Sequence, residues 1–230
     1  MSITVYSVSG APRAWRVLLG LAFKGLDYDV EVLQVSKNEH KSPEYLKINP
    51  RGTIPALEYQ GLILRDSIGI LAWLDRQFPD TPLFGATPDE AATIWQNTLE
   101  ACDYLRSTTN EVLFSIMVEG KPVADVGTAE RENMISCVNN LKKEYQHLEN
   151  FLDSSDYLSG DNPSATDAVC FPEIRLLERA IDTKFTAMKT LGLDSFAKDF
   201  PKLEAWKERI SNLPNVDKTM PPHWSETPEK

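Results

Sequence analysis

Strand-like patterning is confined to the first third of the chain, and that asymmetry constrains the fold more than any other feature. Ile3–Tyr6 is short and β-branched, and from Pro12 to about Lys24 the residues Val17, Leu18, Leu21 and Ala22 recur at helical spacing. Pro12 suits a first helical turn and Gly25 a stop. Asp29–Val35 alternates as a strand, Pro43–Lys47 reads as a short helix, and Pro55–Tyr59 with Leu62–Leu64 reads as a hairpin about Gln60-Gly61. Ile68, Leu71, Leu74 and Phe78 then line one face of a helix that stops before Pro79. The order β-α-β-α-β-β-α predicts a small α/β domain over residues 1–80.

Past the Pro- and Gly-rich stretch from Pro79 to Pro88, which reads as a linker, strand signals largely vanish. Asp89–Val118 and Glu130–Leu152 are long and amphipathic, with Leu141, Tyr145, Leu148 and Leu152 forming a stripe in the second. Ser164-Ala-Thr-Asp167 resembles a capping box, with aspartate where Glu or Gln is usual, and opens an apolar helix through about Ile181. Lys202–Ile210 predicts a last helix before a proline-rich tail, Pro221-Pro222-His223-Trp224. The expected second domain, residues 88–230, is therefore all-helical.

Composition narrows the function. Hydrophobic residues at 42% and charged residues at 25% are ordinary for a globular chain. No run approaches the roughly 20 apolar residues that span a bilayer, so no membrane partner is expected. The net charge of −10 argues against nucleic acid and anionic membranes as partners. Residues 1–80 carry nine basic and nine acidic side chains, so the whole excess lies in the second region and the first is open to an anionic ligand. Cys102, Cys137 and Cys170 stand far apart, which encodes neither a disulfide framework nor a clustered zinc site. Together with a start, MSITVYSVSG, that has no basic and apolar leader pattern, this predicts a cytoplasmic protein with no bound metal.

The most informative stretch is Asn49-Pro-Arg-Gly-Thr-Ile-Pro-Ala-Leu57, followed by Arg65-Asp66-Ser67. Proline at a strand start lacks an N–H, and the Ile54–Pro55 bond is a candidate for cis. A cis bond there would turn the N–H and C=O of Ile54 outward, a bare edge for an extended peptide. Asp66-Ser67 falls where strand gives way to helix. Free N–H groups and the helix dipole favour a ligand carboxylate there, Ser67 adds a hydroxyl, and Asp66 suits an ammonium. The same residues also read as an edge marker and a plain helix cap.

The combination NPRGTIPAL…DS, after β-α-β and before a helix leading to an acidic helical region, resembles the glutathione S-transferase superfamily, and SGDNPSATDAVCFPEI resembles its capping-box segment. The resemblance covers nearly the whole chain. It implies a thioredoxin-like first domain that binds glutathione as co-substrate, a helical second domain, a hydrophobic site between them, and a homodimer. It implies that Ile54 pairs its backbone with the cysteinyl part ahead of cis-Pro55, and that Asp66 and Ser67 hold the γ-glutamyl end, although glutamate is usual where Asp66 stands. His40-Lys41 matches a pair that binds the glycyl carboxylate in plant-type members; both also fit a solvated loop. Ser164 and Asp167 are expected to stabilise a helix.

The resemblance breaks at the activating residue. Anchored on Arg16-Val17, the usual serine or cysteine position falls on Ala11, which donates nothing. Nearby hydroxyls are Tyr6, Ser7 and Ser9. Ser9, just before Gly10, is the expected activating hydroxyl, with Tyr6 the candidate if the protein is tyrosine-type and Arg13 an electrostatic assistant. A free thiol has a pKa near 8.5, so a hydrogen bond to sulfur and the N-terminal end of the first helix would raise the thiolate fraction. Trp95, Tyr104, Phe114 and Met117 are candidates for the wall that holds a small hydrophobic electrophile, and at helical spacing they also read as core. The expected function is a glutathione transferase; the alternative is a non-catalytic glutathione-binding module of the same fold. Disulfide or peroxide chemistry is disfavoured because residues 1–80 contain no cysteine.

Overall fold

The computed structural model describes residues 2–194 and 196–224. The first layer is a four-stranded sheet in the order β2-β1-β3-β4, built from β1 (Ile3–Ser7), β2 (Tyr28–Val32), β3 (Ala56–Tyr59) and β4 (Leu62–Leu64). Strand β1 runs parallel to β2, with Val5 opposite Val30, and antiparallel to β3, with Val5 opposite Leu57. Period-2 alternation sends Ile3, Val5 and Ser7 to the buried face and leaves Thr4 and Tyr6 on the other. The buried face is covered by α1 (Pro12–Phe23) and α3 (Ser67–Gln77), whose Val17, Leu21, Ile70, Leu71 and Leu74 are fully buried. The short α2 (Pro43–Ile48) packs Tyr45 against the ring of Tyr6 on the opposite face, 5.8 Å between centroids.

Strand β2 ends at Val32 rather than at Val35 as the alternation suggested. Its partner β1 stops at Ser7, whose carbonyl takes the Leu33 N–H, and with no further strand to pair the chain turns into a 3₁₀ turn at Val35–Lys37. Pro55 stands just outside β3, as expected of a residue that cannot donate to the ladder.

Beyond α3 the linker is bonded into both layers. Asp75 Oδ1 accepts the Leu83 and Phe84 N–H groups, Leu83 O accepts the Ala165 N–H at 2.9 Å, and Phe84 stacks on Trp95 at 4.1 Å. The helices that follow are α4 (Pro88–Glu100), α5 (Arg106–Leu113), α6 (Ala129–Phe151), α7 (Ala165–Thr183), α8 (Phe185–Thr190), α9 (Phe196–Asp199) and α10 (Pro201–Ser211). Among the described residues this part holds no strand, only an isolated bridge between Tyr157 and Gly160. The single helix expected over 89–118 is interrupted by two π-helical turns, Ala101–Leu105 and Phe114–Val118. Each shifts the helix phase, so a periodicity that looks continuous in sequence changes face along the rod.

Helix α7 is the axis of the second part. Its buried residues include Val169, Phe171, Ile174 and Leu177, and its start is tied by Asp167, whose carboxylate takes the N–H groups of Leu158 and Ser164, the Ser164 hydroxyl and the Trp206 indole N–H at 2.8–3.0 Å. Burial pushes the Asp167 carboxyl up, and these donors pull against it. Between the layers, Glu173 of α7, wholly buried, accepts from Arg106 at 2.9 Å and from Arg16 of α1 at 3.5 Å. Arg16, 3% exposed, also reaches Cys102 Sγ at 3.2 Å. This charge cluster joins α1 to α5 and α7 across the domain boundary.

Candidate functional site

A cleft of about 630 Å³ opens where α1, the loop before β3 and the start of α3 converge. Arg13 lines it from the first turn of α1, Ile54 and Pro55 from the loop, and Asp66 and Ser67 from the start of α3. Arg51, Thr53 and Arg65 complete its polar wall, so three arginines and one carboxylate residue line it. Two helix N-termini and three arginines make the cleft electropositive, in a chain whose net charge is −10.

The loop is held stiffly by side chains the motif supplies. Asn49, fully buried, donates to Thr53 O at 2.6 Å and Thr53 Oγ1 at 3.1 Å and accepts the Arg51 N–H at 3.2 Å. Tyr45 Oη adds a bond to Thr53 O at 2.7 Å, and Arg65 Nε clamps Ile48 O at 2.7 Å. The Ile54–Pro55 bond is cis. Lys41 donates to Gly52 O at 2.8 Å and Arg51 O at 3.2 Å. Gly52, at φ +56°, is approached so closely by the His40 carbonyl and the Lys41 side chain that a Cβ would stand 2.8 Å from each. His40 and Lys41 therefore brace the back of the loop whose front lines the cleft.

At the start of α3, Asp66 is the N-cap, its Oδ1 accepting the N–H groups of Ile68 and Gly69 at 2.9 Å each. Asp66 and the Ser67 residue beside it, the latter only 4% exposed, both line the cleft. At the start of α1 the cap position is Ala11, whose N–H is taken by Val8 O at 3.0 Å, and Pro12 has no N–H. The first amide of that helix free for a ligand is thus that of Arg13, a residue that lines the same cleft.

The structure brings Ile54, Pro55, Asp66 and Ser67 together and puts other candidates elsewhere. Tyr6 donates from its hydroxyl to Glu58 Oε2 at 3.2 Å on the α2 side of the sheet, and burial followed by that carboxylate pushes its phenol up. Ser9 does not line the cleft; its hydroxyl is within 3.2 Å of His223 Nδ1, and it borders a second, apolar cavity of about 180 Å³ beneath the C-terminal segment. The reason is the turn Val8–Ala11, which presents the Ser9 side chain to the tail rather than to α3. Trp95 is also removed from the cleft, stacked on Phe84 of the linker. Tyr104 and Phe114 are exposed on the two π-helical turns, and Met117 packs with its sulfur 4.0 Å from the Thr183 hydroxyl. Ser164 and Asp167 cap α7, as read from the sequence. The arginines at 51 and 65 escaped sequence reasoning although both stand inside or beside the motif; their charge in an otherwise apolar stretch was the available signal.

Residues 11–77 match the family described as Glutathione S-transferase, N-terminal domain, and residues 123–219 match Glutathione S-transferase, C-terminal domain. The chain belongs to the glutathione S-transferase superfamily. Glutathione S-transferase 1 of Dianthus caryophyllus is 29% identical over 74% of this chain and 75% of its own. Glutathione S-transferase Z2 of Arabidopsis thaliana is 28% identical over 98% of this chain and 94% of its own. The crystal structure of a glutathione S-transferase from the Antarctic clam Laternula elliptica superposes with a TM-score of 0.81 at 27% identity, covering 98% of this chain and 95% of that one. The superfamily's architecture, a thioredoxin-like domain followed by a helical one, is the architecture described above.

Proposed function

We propose that this glutathione transferase binds glutathione in the cleft between α1, the Ile54–Pro55 loop and α3, and directs its sulfur at hydrophobic electrophiles. The observation that carries the reading is the convergence of two helix N-termini and the Ile54 edge on one electropositive cleft. Glutathione presents two carboxylates, one ammonium and a thiol, and each has a complementary group there. The Ser67 amide and hydroxyl receive the γ-glutamyl carboxylate, and the outer oxygen of Asp66 receives the ammonium. The Ile54 backbone pairs with the cysteinyl residue. Arg51, backed by His40 and Lys41, takes the glycyl carboxylate.

The sulfur then lies toward α1. With Ala11 unable to donate and Ser9 bonded to the tail, we assign thiol activation to the Arg13 N–H and guanidinium. The helix end and the fixed positive charge favour thiolate over thiol and stabilise the anion, and the thiol proton passes to solvent water. Attack on an electrophilic carbon forms the carbon–sulfur bond and expels a leaving group such as halide, or opens a strained or conjugated system. Tyr104 and Phe114, outside the cleft but exposed on the two π-helical turns of the second domain, are the apolar surface we assign to the electrophile. In this reading residues 1–80 bind glutathione, residues 88–230 shape the second site, and the protein is a cytoplasmic detoxifying homodimer. Exposed Leu62 on β4 and Leu99 on α4 offer apolar surface for a second copy.

Glutathione consumption against aryl halides, epoxides, isothiocyanates and peroxides, with binding calorimetry on the same preparation, tests the assignment. Turnover with at least one carbon electrophile is expected. Absence of glutathione binding refutes it.

A further inference from the structure

Val8–Ala11 is a tight turn closed by the Ala11 N–H on Val8 O, with Gly10 at φ +78° in the position that demands a positive φ. This turn sets where α1 begins, and so where the Arg13 amide and guanidinium point. Both of its central residues are held by the C-terminal segment. Ser9 Oγ lies 3.2 Å from His223 Nδ1, and the indole of Trp224 lies over Gly10 so closely that a Cβ there would stand 3.1 Å from its Nε1. Trp224 also meets Trp15 of α1 edge-on, 5.2 Å between ring centres, and the Trp15 indole N–H donates to Thr219 Oγ1 at 2.9 Å. The segment is itself ordered locally by two 3₁₀ turns, Asp217–Thr219 and Pro222–Trp224. Residues more than 200 positions away in sequence therefore clamp the one turn that aims α1.

We propose that His223 and Trp224 are positioning residues for thiol activation: the C-terminal strap fixes the Val8–Ala11 turn and thereby holds the Arg13 end of α1 against the glutathione sulfur. The inference rests on the function proposed above. The strap lines a cavity that shares no residue with the cleft holding Asp66 and Ser67, and it contacts the turn and α1, so its effect is expected at the sulfur end of the ligand and not at the γ-glutamyl end. Releasing it lets the turn and the first residues of α1 fluctuate, which weakens an interaction that falls off within one helical turn.

The test compares the unaltered protein with His223→Ala, Trp224→Ala and His223→Asn, the last keeping a hydrogen-bonding nitrogen or oxygen near the Nδ1 position. Glutathione affinity is measured by calorimetry, thiolate formation in the complex by absorbance titration, and kcat and KM with one electrophile. The alanine variants should keep glutathione affinity within about twofold while the bound thiol titrates about 0.5 unit higher and kcat falls about threefold or more. His223→Asn should recover most of the His223→Ala loss, and Ser9→Ala combined with His223→Ala should be no worse than either alone. Folded alanine variants with an unchanged thiol titration and kcat overturn the inference while leaving the proposed function standing. If Trp224→Ala fails to fold, the Ser9–His223 cycle decides alone, and additive losses in it overturn the inference. An unaltered protein that binds no glutathione overturns both.

Discussion

Asp66 has two jobs in the proposed site, and a pair of substitutions separates them. As the N-cap of α3 it accepts the Ile68 and Gly69 N–H groups through Oδ1. As a ligand group its other oxygen holds the glutathione ammonium. Asp66→Asn keeps a carbonyl oxygen for the cap and removes the charge; Asp66→Ala removes both. A lost cap costs about 1 kcal/mol, which in a chain of 230 residues corresponds to a fall in Tm of about 2–4 °C. A lost charge-assisted bond costs about 1.5–3 kcal/mol, or roughly ten- to a hundredfold in Kd. Thermal melts and calorimetry on the two variants should therefore diverge: Asn melts near the unaltered protein, Ala melts a few degrees lower, and both bind glutathione at least about tenfold more weakly. Asp66→Asn binding as tightly as the unaltered protein would refute the ammonium role, and the cap alone would account for the residue.

Three further outcomes test the scaffold. Asp167→Ala leaves the Leu158 and Ser164 N–H groups and the Trp206 indole N–H without their acceptor in the core, and should cost about 4 kcal/mol in urea unfolding; a loss below about 1 kcal/mol would show that these bonds do little. Glu173→Ala strips Arg16 and Arg106 of their shared carboxylate and should cost about 3–5 kcal/mol, with unchanged stability counting against the cluster as the joint between domains. Asp167, Glu173 and Glu178 are all pushed up by burial, so the folded state holds protons more tightly than the unfolded chain above the ordinary carboxylate range. The sign then favours the folded state as pH falls, and Tm should hold or rise between pH 7 and about pH 5.5, whereas a steep fall there would contradict it.

The parts of the fold that were legible in sequence are those in which local chemistry and tertiary packing agree. The β1, β3, β4 and α3 segments combine the right period with punctuation at Gly10, Pro55, Gln60-Gly61 and Pro79, and they lie within a residue or two of their predicted bounds. The two π-helical turns were not legible, because an inserted residue leaves apolar side chains at plausible helical spacing while moving them to a new face. Helices α8 and α9, six and four residues long, are too short for a period to register. Of the candidate site, the Ile54–Pro55 and Asp66-Ser67 elements were readable because one motif encodes their geometry. The fate of Ser9 was not, since its partner His223 is 214 residues away and only the folded tail brings it back. Trp95 was misplaced for a related reason: its stacking partner Phe84 lies in the linker, which carries no periodic signal.

The central claim is that the start of α1 turns bound glutathione into a thiolate although Ala11 offers no hydroxyl. Absorbance titration of the thiolate in the binary complex measures this directly. The account predicts that the bound thiol titrates at least about one unit below the free value near 8.5, about 1.4 kcal/mol in favour of the anion. A glutathione complex whose thiol titrates at the free value would contradict it.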